Sequence, residues 1–148
     1  MNILKIQADL MKRKETNDTG RYLYCVLDGY VYYTPDGYVM YRIPENRFYL
    51  DIEKVFKDII PFNLKANWKP DDAKRAYKTG DIKMMTQGKK LYNVIKIKNE
   101  SDTVWVDERL LKNFDSDCSF YITNSVSAVY IEENDELVGL CMPTKVKE

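Results

Sequence analysis

Residues 21–44 read RYLYCVLDGYVYYTPDGYVMYRIP, and the punctuation of this stretch decides the fold class. In its first run Leu23, Cys25 and Leu27 alternate with their neighbours, the two-residue period of a half-buried strand. Asp28-Gly29 follows, a pair that accepts the left-handed backbone of a tight hairpin turn. Tyr30 to Tyr33 continue as a second strand, Pro35-Asp36-Gly37 supplies a second turn, and Tyr38 to Ile43 form a third strand before Pro44. Closely spaced strands joined by such turns predict an antiparallel meander.

Beyond Pro44, Ile52, Val55, Phe56 and Ile59 fall at i, i+3, i+4 and i+7, one apolar helical face. Asp51 is placed to cap that helix and Pro61 to stop it. Upstream, Ile3, Ile6 and Leu10, joined by Leu4 and Met11, predict a helix over residues 3–14, the first few of which read equally as a short strand leading into it. Residues 63–79 carry Trp68, Pro70 and the charged run Asp71-Asp72-Ala73-Lys74-Arg75, and read as a surface loop with a short helix. Strands are expected over 81–86 and 90–98 about a Gln87-Gly88 turn, with Ile95 and Ile97 on one face and Lys96 and Lys98 on the other. A strand over 103–106 then leads into a helix capped by Asp107 and carrying Leu110, Leu111 and Phe114. Strands over 120–123, 128–132 and 137–142 close the chain. Runs of strands separated by single helices predict an α+β fold, mainly antiparallel sheets with helices packed on one side.

The chain has 148 residues, the size of one domain, expected to span 1–148. It contains no His, which removes His-based triads, zinc motifs and acid–base steps. No phosphate-cradling Gly-rich loop occurs, and the sequence predicts neither an enzyme nor a metal or other cofactor. Glu132, Glu133, Asp135 and Glu136 crowd around Asn134, a pattern that suits a solvated hairpin turn better than a carboxylate metal site. Asp115 and Asp117 read as a polar loop. Cys25, Cys118 and Cys141 are far apart and lie in or beside apolar runs, as buried thiols of a reducing compartment do. The chain opens without a signal-peptide pattern and has no apolar run of membrane-spanning length, so a cytoplasmic protein without membrane contact is expected. Lys and Arg total 23, as do Asp and Glu, for a net charge of zero. That balance argues against a general polyanion binder and leaves room for a local basic face.

Near the C-terminus, Thr123-Asn124-Ser125-Val126-Ser127-Ala128-Val129-Tyr130-Ile131-Glu132 precedes Val138-Gly139-Leu140-Cys141-Met142-Pro143. This pair of segments resembles the end of the bacterial DNA polymerase sliding clamps, the beta-subunit family. Those proteins close with a Thr-Asp-Ser-Val-Ser-type hairpin and a strand ending in Met-Pro. Val104 to Phe114 resembles the strand and helix placed before it. Thr34-Pro35-Asp36-Gly37-Tyr38-Val39-Met40 is similar to the family's Thr-Asp-Gly-His-Arg-Leu segment, with Pro35 inserted and Tyr38 in place of His. The resemblance implies a DNA-clamp-like domain, a replication accessory that binds duplex DNA non-specifically or docks polymerase-type peptides. The family's chains hold three such domains, so a ring built from this chain requires several copies, a homo-oligomer.

The family's peptide pocket carries over to Thr34, Tyr38, Met40, Ala128, Leu140, Met142 and Pro143. A DNA-facing surface is assigned to the helix-borne cations Lys5, Lys12, Arg13, Lys14, Lys54, Lys57, Arg109 and Lys112, which read equally as solvated helix faces. Weak phosphate contacts suffice where topology holds the duplex. The tyrosines Tyr22, Tyr24, Tyr30, Tyr32, Tyr33 and Tyr38 suit sheet packing, with stacking on single-stranded bases as the alternative. A second function class remains open: a partner-binding or inhibitory protein of viral or mobile-element origin that reuses the clamp fold without binding DNA.

Overall fold

The computed structural model describes residues 1–15, 23–57, 61, 64 and 68–147. In chain order its elements are α1 (Ile3–Glu15), β1 (Leu23–Leu27), β2 (Tyr30–Thr34), β3 (Val39–Pro44), α2 (Ile52–Val55), β4 (Lys74–Gln87), β5 (Lys90–Lys98), β6 (Thr103–Asp107), β7 (Ser119–Ile122), β8 (Val129–Glu133) and β9 (Glu136–Cys141). Single 3-10 turns stand at Glu45–Arg47 and Glu108–Leu111. The strands join in the order β1-β2-β3-β9-β8-β7-β4-β5-β6, and every neighbouring pair is antiparallel. The α+β class and the opening meander are as the sequence predicts. The Asp28-Gly29 turn holds φ of 51° and 81°, and Asn134-Asp135 holds 51° and 62°. Both are the left-handed two-residue loops that match strand twist.

A buried row crosses six strands. Tyr33 stands opposite Tyr41, Tyr41 opposite Gly139, Gly139 opposite Ile131, Ile131 opposite Phe120, and Phe120 opposite Ala76. Each large side chain in it contributes about 1.5–3 kcal/mol by leaving water. Gly139 is the gap in the row: a Cβ there would lie 2.5 Å from the Met40 carbonyl oxygen and 2.6 Å from the Phe114 ring. Ile3, Ile6 and Leu10 of α1, and Val55 and Phe56 at the end of α2, join the same core, as do Ile95, Ile97, Val104 and Val106 of β5 and β6. Buried Gln7 ties α1 to the next segment, donating to the Arg47 carbonyl at 3.0 Å and accepting from the Tyr49 N–H at 2.7 Å.

Three expectations are corrected. Residues 74–79 are strand, not loop: Lys74, Arg75 and Ala76 pair with Ile122, Tyr121 and Phe120 of β7. Of residues 64 and 68–73, none is helical. The α2 helix is one turn, ending at Val55. Its Asp51 cap is as predicted, with the carboxylate accepting from the Lys54 N–H at 3.2 Å. Phe56 leaves the helix because its ring stacks on Tyr24 at 4.1 Å and packs beside Tyr33 and Phe48. Ile59 lies outside the described residues. The helix expected after Asp107 is only a 3-10 turn, although Asp107 does cap it, accepting from the Arg109 N–H at 2.9 Å. Remote contacts pull its continuation inward: the Asn113 amide donates to the Tyr41 hydroxyl at 3.0 Å, and Phe114 fills the space over Gly139.

β4 is the pivot between two parts of the sheet. Its start pairs with β7, and from Tyr77 to Gln87 it pairs with β5, with a register shift between Lys78 and Ile82. Gly80 sits in that shift at φ +88°, a conformation that L side chains rarely adopt. The β4–β5 turn is Gly88-Lys89, one residue later than the sequence suggested, flanked by the Gln87–Lys90 pair. β6 pairs with β5 only as far as Val94. β4 and β5 together make one long hairpin arm, which is two-stranded beyond that point. The C-terminal segment crosses from β3 to the edge of β6, with the Met142 N–H donating to the Tyr38 carbonyl at 2.8 Å and the Thr144 N–H to the Trp105 carbonyl at 2.7 Å.

Candidate nucleic-acid interface

The charge of the chain is zero in total and uneven in space. Residues 74–98 hold eight Lys or Arg and one Asp, a net +7, which leaves −7 on the remainder. The eight are Lys74, Arg75, Lys78, Lys83, Lys89, Lys90, Lys96 and Lys98, all on β4, β5 or their turn. Among the described residues only Lys96 of these forms an ion pair, with Asp81 at 3.4 Å. Lys83 and Lys96 lie over the Trp105 ring at 5.2 and 5.7 Å, and Arg75 over Tyr77 at 5.3 Å. β4 alone is 14 residues long, roughly 45 Å of backbone at the rise of an antiparallel strand.

The arm has two unlike faces. Register places Ile82 opposite Ile95, Met84 opposite Asn93 and Thr86 opposite Leu91 on one of them. Ile82 is 59%, Met84 69% and Leu91 65% exposed. The other face carries Lys83, Met85, Lys90 and Tyr92, and is buttressed by the 3-10 turn after β6. There Arg109 lies over the Tyr92 ring at 4.2 Å and donates to Gln87 Oε1 at 3.3 Å. Hydrogen bonding to Asp107, at 2.6 Å through Nη2, raises the Arg109 guanidinium further above its ordinary range.

Several residues singled out in the sequence meet in a cleft of about 650 Å³ between α1, the start of β3 and the outer part of the arm. Tyr38, Met142 and Pro143 of the peptide set line it, together with Arg13, Arg109 and Lys112 of the cation set. Its wall includes Tyr41, whose phenol burial pushes up to about 12. The other peptide-set residues are not in its lining. Met40 and Leu140 are half-buried cross-strand partners, Ala128 is half-buried just before β8, and Thr34 is buried, its hydroxyl accepting from the Gly37 N–H at 2.8 Å. Lys5 and Lys12 are exposed on α1, while Arg13 and Lys14 are half-buried beside them. Three of these cations occupy the last turn of α1, where positive charge complements the helix dipole. Lys54 and Lys57 are exposed about α2 and do not line the cleft. Arg13, Arg109 and Lys112 thus share the cleft, and the other helix cations are not in its lining.

The early tyrosines serve the sheet. Tyr24 stacks on Phe56, Tyr32 meets Trp68 edge-on, Tyr33 is buried, and Arg42 covers Tyr30 at 3.5 Å. Tyr38 is exposed and Tyr22 is outside the described residues. Cys25 and Cys141 are buried, and half-buried Cys118 has its thiol pushed up to about 11 by burial. Among the described residues no cluster of acidic, Cys or His side chains is arranged to hold a metal, and no helix is long and apolar enough to cross a membrane.

The described residues define an α+β protein with a mainly antiparallel sheet and a basic β4–β5 arm. Comparison with protein-family models, with curated proteins and with solved structures gives no match to the chain.

Proposed function

We propose that this protein is a non-catalytic nucleic-acid-binding accessory that holds phosphates, without reading sequence, through the β4–β5 arm. The observation that carries the reading is the segregation of eight cations against one carboxylate on that arm in a chain of zero net charge. Lysines on a narrow ribbon release counterions when they meet phosphates, so affinity falls steeply with salt. The clamp-like form of the proposal, in which copies of the chain surround a duplex, draws on the closing Ser-Val-Ser hairpin and the Met142-Pro143 ending. It requires a closed oligomer, and a monomer by light scattering removes it.

The deciding experiment is fluorescence anisotropy of a labelled oligonucleotide across a salt series. Reversal of the exposed Lys78, Lys89, Lys90 and Lys98 to Glu should weaken binding by about 100-fold or more and flatten the salt slope. The matched set Lys12→Glu, Lys14→Glu, Lys54→Glu and Lys57→Glu should cost far less. If the second set abolishes binding and the first leaves it intact, the arm is the wrong surface.

A second reading has its own observation: Tyr38, Met142 and Pro143 share one cleft with apolar Ile6 and Leu110. On this reading the cleft docks a short polymerase-type peptide. Titration of such a peptide, with loss on Met142→Glu, supports it, and unaltered affinity in that variant rules it out. Docking without any nucleic-acid binding would instead favour the partner-binding or inhibitory class.

A further inference from the structure

Ile82, Met84 and Leu91 occupy one face of the arm, and all three are more than half exposed. That face continues the inner face of the sheet: Ile82 stands opposite Ile95, a buried core residue. A soluble protein rarely leaves a contiguous apolar strip open unless something covers it. The strip belongs to the same arm as the eight cations, so its occupant must be apolar on one side and anionic on the other. Duplex nucleic acid turns its phosphates outward and hides its base faces in the stack. A single strand offers both at once, since unpaired bases lie flat on apolar and aromatic side chains while the backbone follows a basic track.

Resting on the nucleic-acid reading of the arm, we infer that its ligand is single-stranded nucleic acid, with bases lying on Ile82, Met84 and Leu91 and phosphates held by the arm's lysines. The geometry separates this ligand from an anionic membrane. A membrane-inserting hairpin carries its apolar residues at the tip, whereas here Gly88 and Lys89 form the tip and the apolar residues lie behind it. The cations, too, run the length of β4 and β5, which fits a linear polyanion. The two strands stand ~4.8 Å apart, so lysine stems from the opposite face reach around the edge of so narrow a ribbon.

The test measures anisotropy with labelled single-stranded DNA and with the corresponding duplex, using the wild type and the variant Ile82→Ser, Met84→Ser, Leu91→Ser. The single strand should bind wild type at least about 10-fold more tightly than the duplex, and the variant should lose about 10-fold or more on the single strand alone. Its duplex affinity and salt slope should not change. Met84→Phe, which adds a ring without removing apolar surface, should tighten single-strand binding and gives a readout even if the triple variant folds poorly. Duplex affinity equal to or above that of the single strand, or single-strand affinity insensitive to both variants, overturns the inference and leaves phosphate binding by the arm standing. A strip that proves to join two copies, with the triple variant turning an oligomer into a monomer while single-strand affinity holds, overturns it as well. If neither nucleic acid binds and vesicles of phosphatidylserine and phosphatidylcholine do, the inference and the nucleic-acid reading beneath it both fall.

Discussion

The two ends of β4 show the same backbone in opposite service. At one end Ala76 is 1% exposed and closes the buried row Tyr33–Tyr41–Gly139–Ile131–Phe120; at the other Met84 is 69% exposed. Both lie in antiparallel ladders, so hydrogen bonding does not separate them. The number of layers does. Ala76 has β7 beside it and the core over it, while Met84 lies where β6 has already stopped and only β5 is paired. An apolar side chain on this strand therefore means packing at one end and availability at the other.

Substitutions along this gradient break or sharpen the contrast. Ile131→Ala, in the buried row, should lower stability by about 3 kcal/mol through lost burial and a residual cavity, seen as a lower urea midpoint. Gly139→Ala should cost about 2 kcal/mol, since its Cβ meets a backbone oxygen that cannot turn aside as well as the Phe114 ring. At the pivot, Gly80→Ala should cost about 1 kcal/mol for its φ of +88° alone, because the space around it is open. Met84→Ser should change stability by no more than about 0.5 kcal/mol in the same titration. Should Met84→Ser unfold the protein as readily as Ile131→Ala, the far end of β4 would be a second core and the proposed binding strip would not exist.

Legibility in the sequence follows the range of the forces involved. Hairpin turns are local, so Asp28-Gly29 and the acidic Asn134-Asp135 turn were readable from the residues themselves. The apolar face of α1 was readable for the same reason. The Asp51 and Asp107 caps were visible, but not how briefly their helices run: Phe56 is drawn out by Tyr24, and Asn113 by Tyr41, both distant in the chain. The start of β4 was hidden because Lys74 and Arg75 look like a solvated loop until β7 is beside them. The cations of the arm were each visible in the sequence, yet a net charge of zero masked their concentration between residues 74 and 98. Ile82, Met84 and Leu91 looked like ordinary strand residues, since nothing local says where β6 ends. A sliding count of charge along the chain would have found the arm; no local pattern would have found its open face.

The bond from the Thr144 N–H to the Trp105 carbonyl lies on a margin of the sheet where β6 would otherwise be open to strand addition. By resting there, the C-terminal segment works as a guard against templated self-assembly, the hazard carried by any uncovered border strand. Such a guard can be displaced. A chain trimmed after Met142 would keep its buried row and its arm but gain a sticky margin, and its loss of quality would appear as slow turbidity in storage rather than as a lower melting point.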